Sequence, residues 1–238
     1  MVARMSPLSA VLLTTLILTS CHAQAEGLLS RVESFQAVQR QAFKLASLEQ
    51  KPVVRAAFQL HLAHAYGDLA LSRATDDELS ALLQAADALA FYSQAPEDVD
   101  LVHRVLQRLE RRGAATDDER AMYFRGLVEV RRFDEARRYS TAHPSMDVEA
   151  MPDLVDAMDS TEGPVVYEVA AHSFALRKQR RSLSRGIHLI VVAHPLCRYS
   201  RDAMKAIAAD RAFAPVLQSH TTWIAPISRW LYFDTLQA

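Results

Sequence analysis

The side chain with the clearest chemical potential is the thiol of Cys197, one of only 2 cysteines in the chain. It follows residues 187–194 (IHLIVVAH), a run typical of a strand buried on both faces of a parallel sheet. Residues 198–217 (RYSRDAMKAIAADRAFAPVL) then switch to helical spacing. We therefore expect Cys197 at a junction, where the carboxyl end of a central strand meets the start of a helix.

Such a junction favours a reactive thiolate. Unpaired N–H groups at a helix start and nearby cations lower the pKa of a thiol. His194, Arg198 and Arg201 lie close to Cys197 in the sequence, and the Ser200 hydroxyl could donate a hydrogen bond to its sulfur. A thiolate of this kind attacks disulfides to form a mixed disulfide, or is oxidised to a sulfenic acid. We therefore predict Cys197, Ser200, Arg198 and His194 as the candidate catalytic residues.

A structural role for the same cysteine stays open. Cysteine is among the residues most often buried, and the end of a strand is a natural place for one. We predict no metal site, because His61 and His64, three residues apart, lack further ligands at a recognisable spacing. We likewise predict no cofactor site, because the sequence has no glycine-rich phosphate loop.

The first 25 residues predict export from a bacterial cytoplasm. Arg4 precedes an apolar run from Val11 to Leu18 that is too short to span a bilayer as a helix. Residues 23–25 (AQA) fit cleavage by the ordinary signal peptidase. Residues 18–21 (LTSC) instead resemble a lipobox, which would place a lipid on Cys21 and attach the protein to the outer membrane. Both cleavage modes remain open, and either one leaves Cys197 as the only free thiol.

Composition and charge restrict the classes of partner that the protein is expected to bind. The chain has 238 residues and a formal net charge of −1, so no overall attraction to nucleic acid or anionic membranes is expected. Residues 164–238 nevertheless carry ten Lys and Arg against four Asp and Glu. The basic run at 177–185 (RKQRRSLSR) resembles a nucleic-acid patch, but export argues against that use. We therefore expect a protein client or an envelope complex as the partner.

Residues 26–158 predict a helical domain without strands. The pentapeptide ATDDE occurs at 74–78 and at 115–119, and each copy has the threonine–glutamate spacing of a capping box. We interpret these acidic residues as helix starts and not as catalytic carboxylates. Pro96 and Gly113 have the positions of a helix start and a helix stop. The arginines that repeat along residues 104–138 are interpreted mainly as solvated surface.

The end of this domain resembles a helical hairpin of the tetratricopeptide type. The resemblance rests on the small residue Gly126, the turn RRFD at 131–134 and the Glu-Ala pair that follows. Helical repeats of this kind bury one face against a neighbour and often bind a peptide or protein on a concave surface. The resemblance therefore implies an array of helical hairpins with a docking role.

Residues 159–164 read as a linker, and residues 165–238 predict an α/β domain. We expect strands at 165–171, 187–194 and 221–227. These strands would be separated by a helix or loop at 173–186 and by a helix after Cys197. This order of elements implies that the strands pair in parallel. Together with the helical domain, this gives an α+β chain.

Residues 187–227 resemble the first part of a thioredoxin-like domain, with Cys197-Arg198-Tyr199-Ser200 in the place of its Cys-x-x-Cys motif. Ser200 replaces the second cysteine, so the motif cannot cycle as a dithiol. The chain also stops before the cis-proline and the last strands of that fold, which suggests an incomplete domain. The resemblance implies an exported monothiol protein that exchanges thiols and disulfides in the periplasm. The alternative is a non-enzymatic envelope scaffold in which this domain has lost its chemistry.

Overall fold

The computed structural model describes residues 27–159, 162–170, 172–182, 189–194, 196–210, 213, 220–226 and 228–237. The predicted export segment with Cys21 lies outside these ranges, as do the first two residues of the predicted strand 187–194. A series of helices is followed by short strands, which confirms the predicted α+β class. The chain divides into two compact units, residues 1–148 and 149–238. This division comes before residue 158, where we expected the helical domain to end.

The first unit consists of successive helices joined by short turns. The second and third helices are separated by one turn of 3₁₀ helix, Ala63–Tyr66. The apolar core of this unit lies along the helix interfaces, and its largest fully buried side chains include Phe35, Tyr123 and Phe124. The helices are α1 (Leu28–Ala42), α2 (Ser47–His61), α3 (Asp68–Arg73), α4 (Asp76–Ser93), α5 (Pro96–Arg112), α6 (Asp117–Glu129) and α7 (Phe133–Ala142).

Both ATDDE pentapeptides begin a helix through a complete capping box. At the start of α4, the Glu78 N–H donates to Thr75 Oγ1 over 3.3 Å, and the Thr75 N–H donates to Glu78 Oε2 over 2.8 Å. Thr116 and Glu119 repeat this arrangement at the start of α6. The sequence therefore predicted these helix starts correctly.

One close helix contact requires a glycine. A Cβ atom added to Gly126 of α6 would lie 3.3 Å from Val99 Cγ1 of α5, closer than most real Cβ contacts. Val99 is fully buried and β-branched, so its side chain has little freedom to yield. The small residue that contributed to the tetratricopeptide resemblance thus has a local reason, the approach of α5 to α6.

Several of the arginines in α5 and in the α6–α7 turn are at least partly exposed, as the prediction of a mainly solvated surface requires, and they also make structural contacts. Arg112 donates to the carbonyl oxygens of Ser72 and Ala74 over 3.1 and 2.8 Å, and forms an ion pair with Asp76. These acceptors lie at the end of α3 and the start of α4. The side chain therefore satisfies carbonyl groups that a helix end leaves without partners. Arg104, Arg108 and Arg132 make similar contacts.

Within its described residues, the second unit contains two small sheets and two helices. The order in the first sheet is β1-β3-β2, with β1 parallel and β2 antiparallel to β3. In the second sheet, β4 and β5 are parallel, with Leu189 opposite Thr221 and Val192 opposite Ile224. The elements are β1 (Asp153–Asp156), β2 (Val165–Val169), β3 (Ala175–Arg180), β4 (Leu189–Val192), α8 (Arg198–Ala209), β5 (Thr221–Ile224) and α9 (Phe233–Gln237).

Four predictions for this unit were wrong, and three of them concern where strands lie and how they pair. Strand β1 lies within residues 26–158, where no strand was expected. Its four residues are too few to give a periodic signal in the sequence. Strand β3 replaces the helix or loop expected at 173–186. Its sequence, ALRKQR, favours a helix, but pairing with two strands and burial of Leu176 outweigh that preference. Because β3 pairs with β2 in an antiparallel hairpin, β2 is not a parallel neighbour of β4.

The fourth correction concerns the strand that leads to Cys197. We expected it to be buried on both faces, yet Leu189, Ile190 and Val192 of β4 are 45%, 50% and 64% exposed. Within the described residues β4 pairs only with β5, so its apolar side chains lack the covering layers that a central strand has. The parallel pairing of β4 with β5 around an intervening helix agrees with the expected order.

Candidate functional site

Cys197 lies at the start of α8, as its sequence position predicted. Strand β4 ends at Val192, a short turn follows, and Cys197 is the N-cap residue of the helix, with φ −76° and ψ 118°. The Cys197 N–H donates to the carbonyl oxygen of His194 over 2.9 Å, and the Cys197 carbonyl accepts from the Arg201 N–H over 3.1 Å. The thiol therefore leaves the backbone where the first N–H groups of α8 point outward.

The surroundings of the thiol favour its ionised form. The pKa of Cys197 is lowered from its ordinary value, first by the backbone N–H of Ser200 and then by the Ser200 hydroxyl. The Tyr199 N–H and the positive charge of Arg201 act in the same direction, and partial desolvation opposes them. The sulfur does not reach the geometry of a full capping hydrogen bond. The N–H groups thus stabilise negative charge mainly as oriented dipoles.

Of the other three predicted site residues, the structure shows Ser200 acting on the Cys197 thiol, whereas the side chains of Arg198 and His194 contact other groups. Ser200 stands beside the thiol, but the Arg198 side chain extends along the helix to Asp202, with 3.5 Å between Nε and Oδ2. Arg201 is the cation that acts on the thiol. His194 Nδ1 instead accepts from the Leu196 N–H over 3.2 Å, so this ring stabilises the turn before Cys197.

Two further residues support this turn, and neither had a signal in the sequence. The His194 ring packs edge to face against Tyr232, with 5.5 Å between the ring centroids. The Glu149 carboxylate accepts hydrogen bonds from the N–H groups of Leu231 and Tyr232, the latter over 3.0 Å. Burial raises the pKa of Glu149 despite these two donors. Glu149 therefore positions Tyr232, and Tyr232 packs against the residue that shapes the turn.

His61 and His64 both contact Arg31, which is not the arrangement that binding of a metal ion would require. Arg31 donates to the His61 carbonyl oxygen over 2.8 Å, and its guanidinium lies 3.2 Å from His64 Nδ1. Burial and the Arg31 charge lower the pKa of His64. In the part of the chain that the structure describes, no three His, Cys, Asp or Glu side chains come together as a metal site would need. None of the described helices has both the length and the apolarity needed to cross a bilayer.

Comparisons with known proteins find no relative for this chain. No protein-family model matches it, and neither the curated proteins nor the solved structures contain a significant match. The thioredoxin-like and tetratricopeptide resemblances therefore rest on the sequence motifs alone.

Proposed function

We propose that this chain is an exported monothiol protein that exchanges thiols and disulfides with protein clients in the bacterial cell envelope. The observation that carries the proposal is the position of the Cys197 sulfur at the start of α8, where Ser200 lowers its pKa. The segment at residues 1–25 supports a periplasmic location, with attachment to the outer membrane if Cys21 carries a lipid.

The exchange step needs no cofactor and no net oxidant. The Cys197 thiolate attacks one sulfur of a client disulfide, a bond forms between the two sulfurs, and the client S–S bond breaks. The electron pair of that bond leaves on the second client sulfur as a thiolate. A client thiolate then attacks the mixed disulfide, which restores the Cys197 thiolate and leaves a disulfide in the client. The cycle rearranges client disulfides without changing their number.

The serine of the Cys-x-x-Ser motif suits this cycle. Ser200 donates toward the thiolate but cannot form a disulfide with it, so a thiol from outside the motif must resolve the mixed intermediate. Cys197 is half-buried and the neighbouring Tyr199 is 84% exposed, so this turn lies at the surface of the unit. We assign client docking or attachment to an envelope complex to the helical unit.

The experiment is a pH titration of the rate at which Cys197 is alkylated. We expect a pKa below about 8.5, the ordinary value for a free cysteine. Ser200→Ala removes the hydroxyl and should raise this pKa, as should Arg201→Gln. Lys205→Gln provides the matched control, because Lys205 lies one helical turn beyond Arg201 and does not act on the thiol.

A second measurement separates exchange from a merely acidic thiol. The wild-type protein and Cys197→Ser are incubated with an oxidised client protein whose disulfides are scrambled, and mixed disulfides are trapped with acid. Trapped adducts that depend on Cys197 support the proposal. A thiol with an ordinary pKa, or one alkylated only after denaturation, would contradict it and favour the alternative of a non-enzymatic scaffold.

A further inference from the structure

Two segments that are far apart in the sequence meet beside the thiol. The described residues from 193 to 197 form the turn that ends in Cys197, and we call them the thiol turn. Residues 231–233 lead into helix α9, and we call them the latch segment. The two segments meet where the rings of His194 and Tyr232 pack edge to face. A single ring contact thus connects the latch segment to the turn that carries the thiol.

The backbone of Tyr232 is held in an unusual conformation. Its φ of 50° lies in the left-handed region, which residues with a side chain rarely occupy. Before it, the Glu149 carboxylate accepts hydrogen bonds from the N–H groups of Leu231 and Tyr232. After it, the N–H groups of Thr235 and Leu236 donate to the Tyr232 carbonyl oxygen, each over 3.0 Å. Strain of this kind persists only where the surrounding contacts impose it, and here they do so from both sides.

The residues on either side of Tyr232 anchor the latch segment. Leu231 and Phe233 are 7% and 4% exposed. Phe233 also packs edge to face against Phe174, with 4.7 Å between the ring centroids. Tyr232, in contrast, is only half-buried, and its ring packs on His194. The latch segment therefore buries two side chains and presents the one between them to the thiol turn.

The His194 ring connects this contact to Cys197. Its Nδ1 accepts from the Leu196 N–H over 3.2 Å, and this hydrogen bond requires one orientation of the ring. Packing against Tyr232 restricts the ring to such an orientation. The hydrogen bond fixes the backbone directly before Cys197, which is the N-cap residue of α8. The N–H groups at the start of α8 lower the pKa of the thiol only while Cys197 keeps that place.

We propose that Tyr232 is a positioning residue that latches the thiol turn and thereby controls the reactivity of Cys197. This inference rests on the proposed thiol–disulfide function and adds its regulation. While the Tyr232 ring is in place, the turn holds the sulfur at the start of α8. When the latch segment is released, the turn gains freedom and the thiolate loses part of its stabilisation. Release therefore slows the attack of Cys197 on a client disulfide.

The decisive variant is Tyr232→Gly, because glycine adopts a positive φ without strain. This substitution removes the ring but leaves the backbone of the latch segment able to keep its conformation. The matched control is Tyr232→Phe, which retains the ring that packs on His194. The fluorescence of Trp223 and Trp230, which both lie in the second unit, shows whether that unit is folded in each variant.

The first measurement is the pH dependence of Cys197 alkylation in the full-length protein, followed on the peptide that carries this residue. Below the pKa of the thiol, Tyr232→Gly should react about threefold more slowly than the wild type, which is the typical effect of losing a favourable interaction at a helix terminus. At high pH, where every thiol is ionised, its rate should not fall. Tyr232→Phe should follow the wild-type profile at every pH.

The second measurement is hydrogen–deuterium exchange at the Leu196 amide, which does not involve the sulfur. In Tyr232→Gly this amide should exchange about fivefold faster, in keeping with the usual strength of an aromatic pair. His194→Ala should produce at least the same change in both measurements, because it removes the ring and the acceptor together. Adding Tyr232→Gly to His194→Ala should cause no further change, since both substitutions break the same connection.

The latch is overturned if Tyr232→Gly retains both the wild-type alkylation profile and the wild-type Leu196 amide exchange. Equal losses in Tyr232→Gly and Tyr232→Phe would overturn it as well, because the ring would then not be the cause. Failure of the proposed function has a different signature. An ordinary thiol pKa in the wild type would overturn the thiol–disulfide function, whereas the exchange rate of the Leu196 amide would still decide whether Tyr232 holds the turn.

Discussion

The two ATDDE pentapeptides allow one sequence to be compared in two environments. The first box is partly exposed, and Glu78 accepts one hydrogen bond, from the Thr75 N–H. In the second box Glu119 is 7% exposed and accepts hydrogen bonds from the Thr116 N–H, the Thr116 hydroxyl and, over 2.6 Å, the hydroxyl of Ser80 in α4. A glutamate thus completes the capping box in both places, but only Glu119 also connects its own helix to another one.

The loss of stability should differ accordingly. Glu78→Ala removes half of an exposed capping box and should lower the free energy of unfolding by about 1 kcal/mol. Glu119→Ala removes the same cap contact and also leaves the Ser80 hydroxyl without its charged acceptor. Hydrogen bonds to charged groups contribute about 1.5–3 kcal/mol, so the total loss should be about 3 to 4 kcal/mol. A double-mutant cycle of Ser80→Ala and Glu119→Ala should show a coupling energy of about 2 kcal/mol.

The assay is urea unfolding followed by far-ultraviolet circular dichroism, which reports chiefly on the helical unit. Both tryptophans, Trp223 and Trp230, lie in the second unit, so their fluorescence reports on that unit separately. The urea midpoint of the Glu119→Ala variant should fall in the dichroism signal. Equal losses for Glu78→Ala and Glu119→Ala, or a coupling energy near zero, would refute the conclusion that Glu119 joins α6 to α4.

Three other substitutions test contacts described above. Arg112→Met should destabilise the helical unit by about 1 kcal/mol, because it removes two hydrogen bonds to helix-end carbonyl groups and an ion pair at a largely exposed site, while Arg111→Met, which removes no such contact, should cost much less in the same urea assay. Gly126→Ala should gain about 1 kcal/mol of helix stability only when Val99→Ala first removes the close contact, and an equal gain in the wild-type background would contradict the packing argument. Burial raises the folded-state pKa of Glu149, so its contribution to stability is fully present below the unfolded-state pKa and is lost as the pH rises through the folded-state pKa. The tryptophan-detected unfolding midpoint should therefore rise as the pH falls from neutral toward that range, and Glu149→Gln should flatten this dependence.

The local parts of the structure could be predicted and the non-local parts could not. Capping boxes, Pro96 and Gly113 act within a few residues, so the sequence alone located those helix ends. The position of Cys197 followed in the same way from the change between strand and helix spacing. Strand β3, in contrast, depends on partners on both sides that no local pattern announces. The exposure of β4 depends on which layers cover it, which is a property of the assembled unit.

The candidate site shows the same limit at the level of single side chains. Ser200 and Arg201 lie within one turn of Cys197, so helix geometry places them near the sulfur. Arg198 is adjacent in sequence, yet the helix turns its side chain toward Asp202. Tyr232 contacts His194 only because the chain returns from far along the sequence. Proximity in the sequence therefore overestimated the effect of Arg198 on the thiol and gave no indication that Tyr232 contacts His194.

The hydrogen bonds from Leu231 and Tyr232 to Glu149 also affect the order in which the protein acquires its structure. They join positions 82 and 83 residues apart, almost the whole span of the second unit. The chain leaves a ribosome, or an export channel, with its N-terminal side first, so the helices up to residue 142 can assemble before the later residues arrive. The second unit has to wait until Tyr232 has emerged. The helical unit can thus be folded while the second unit is still open.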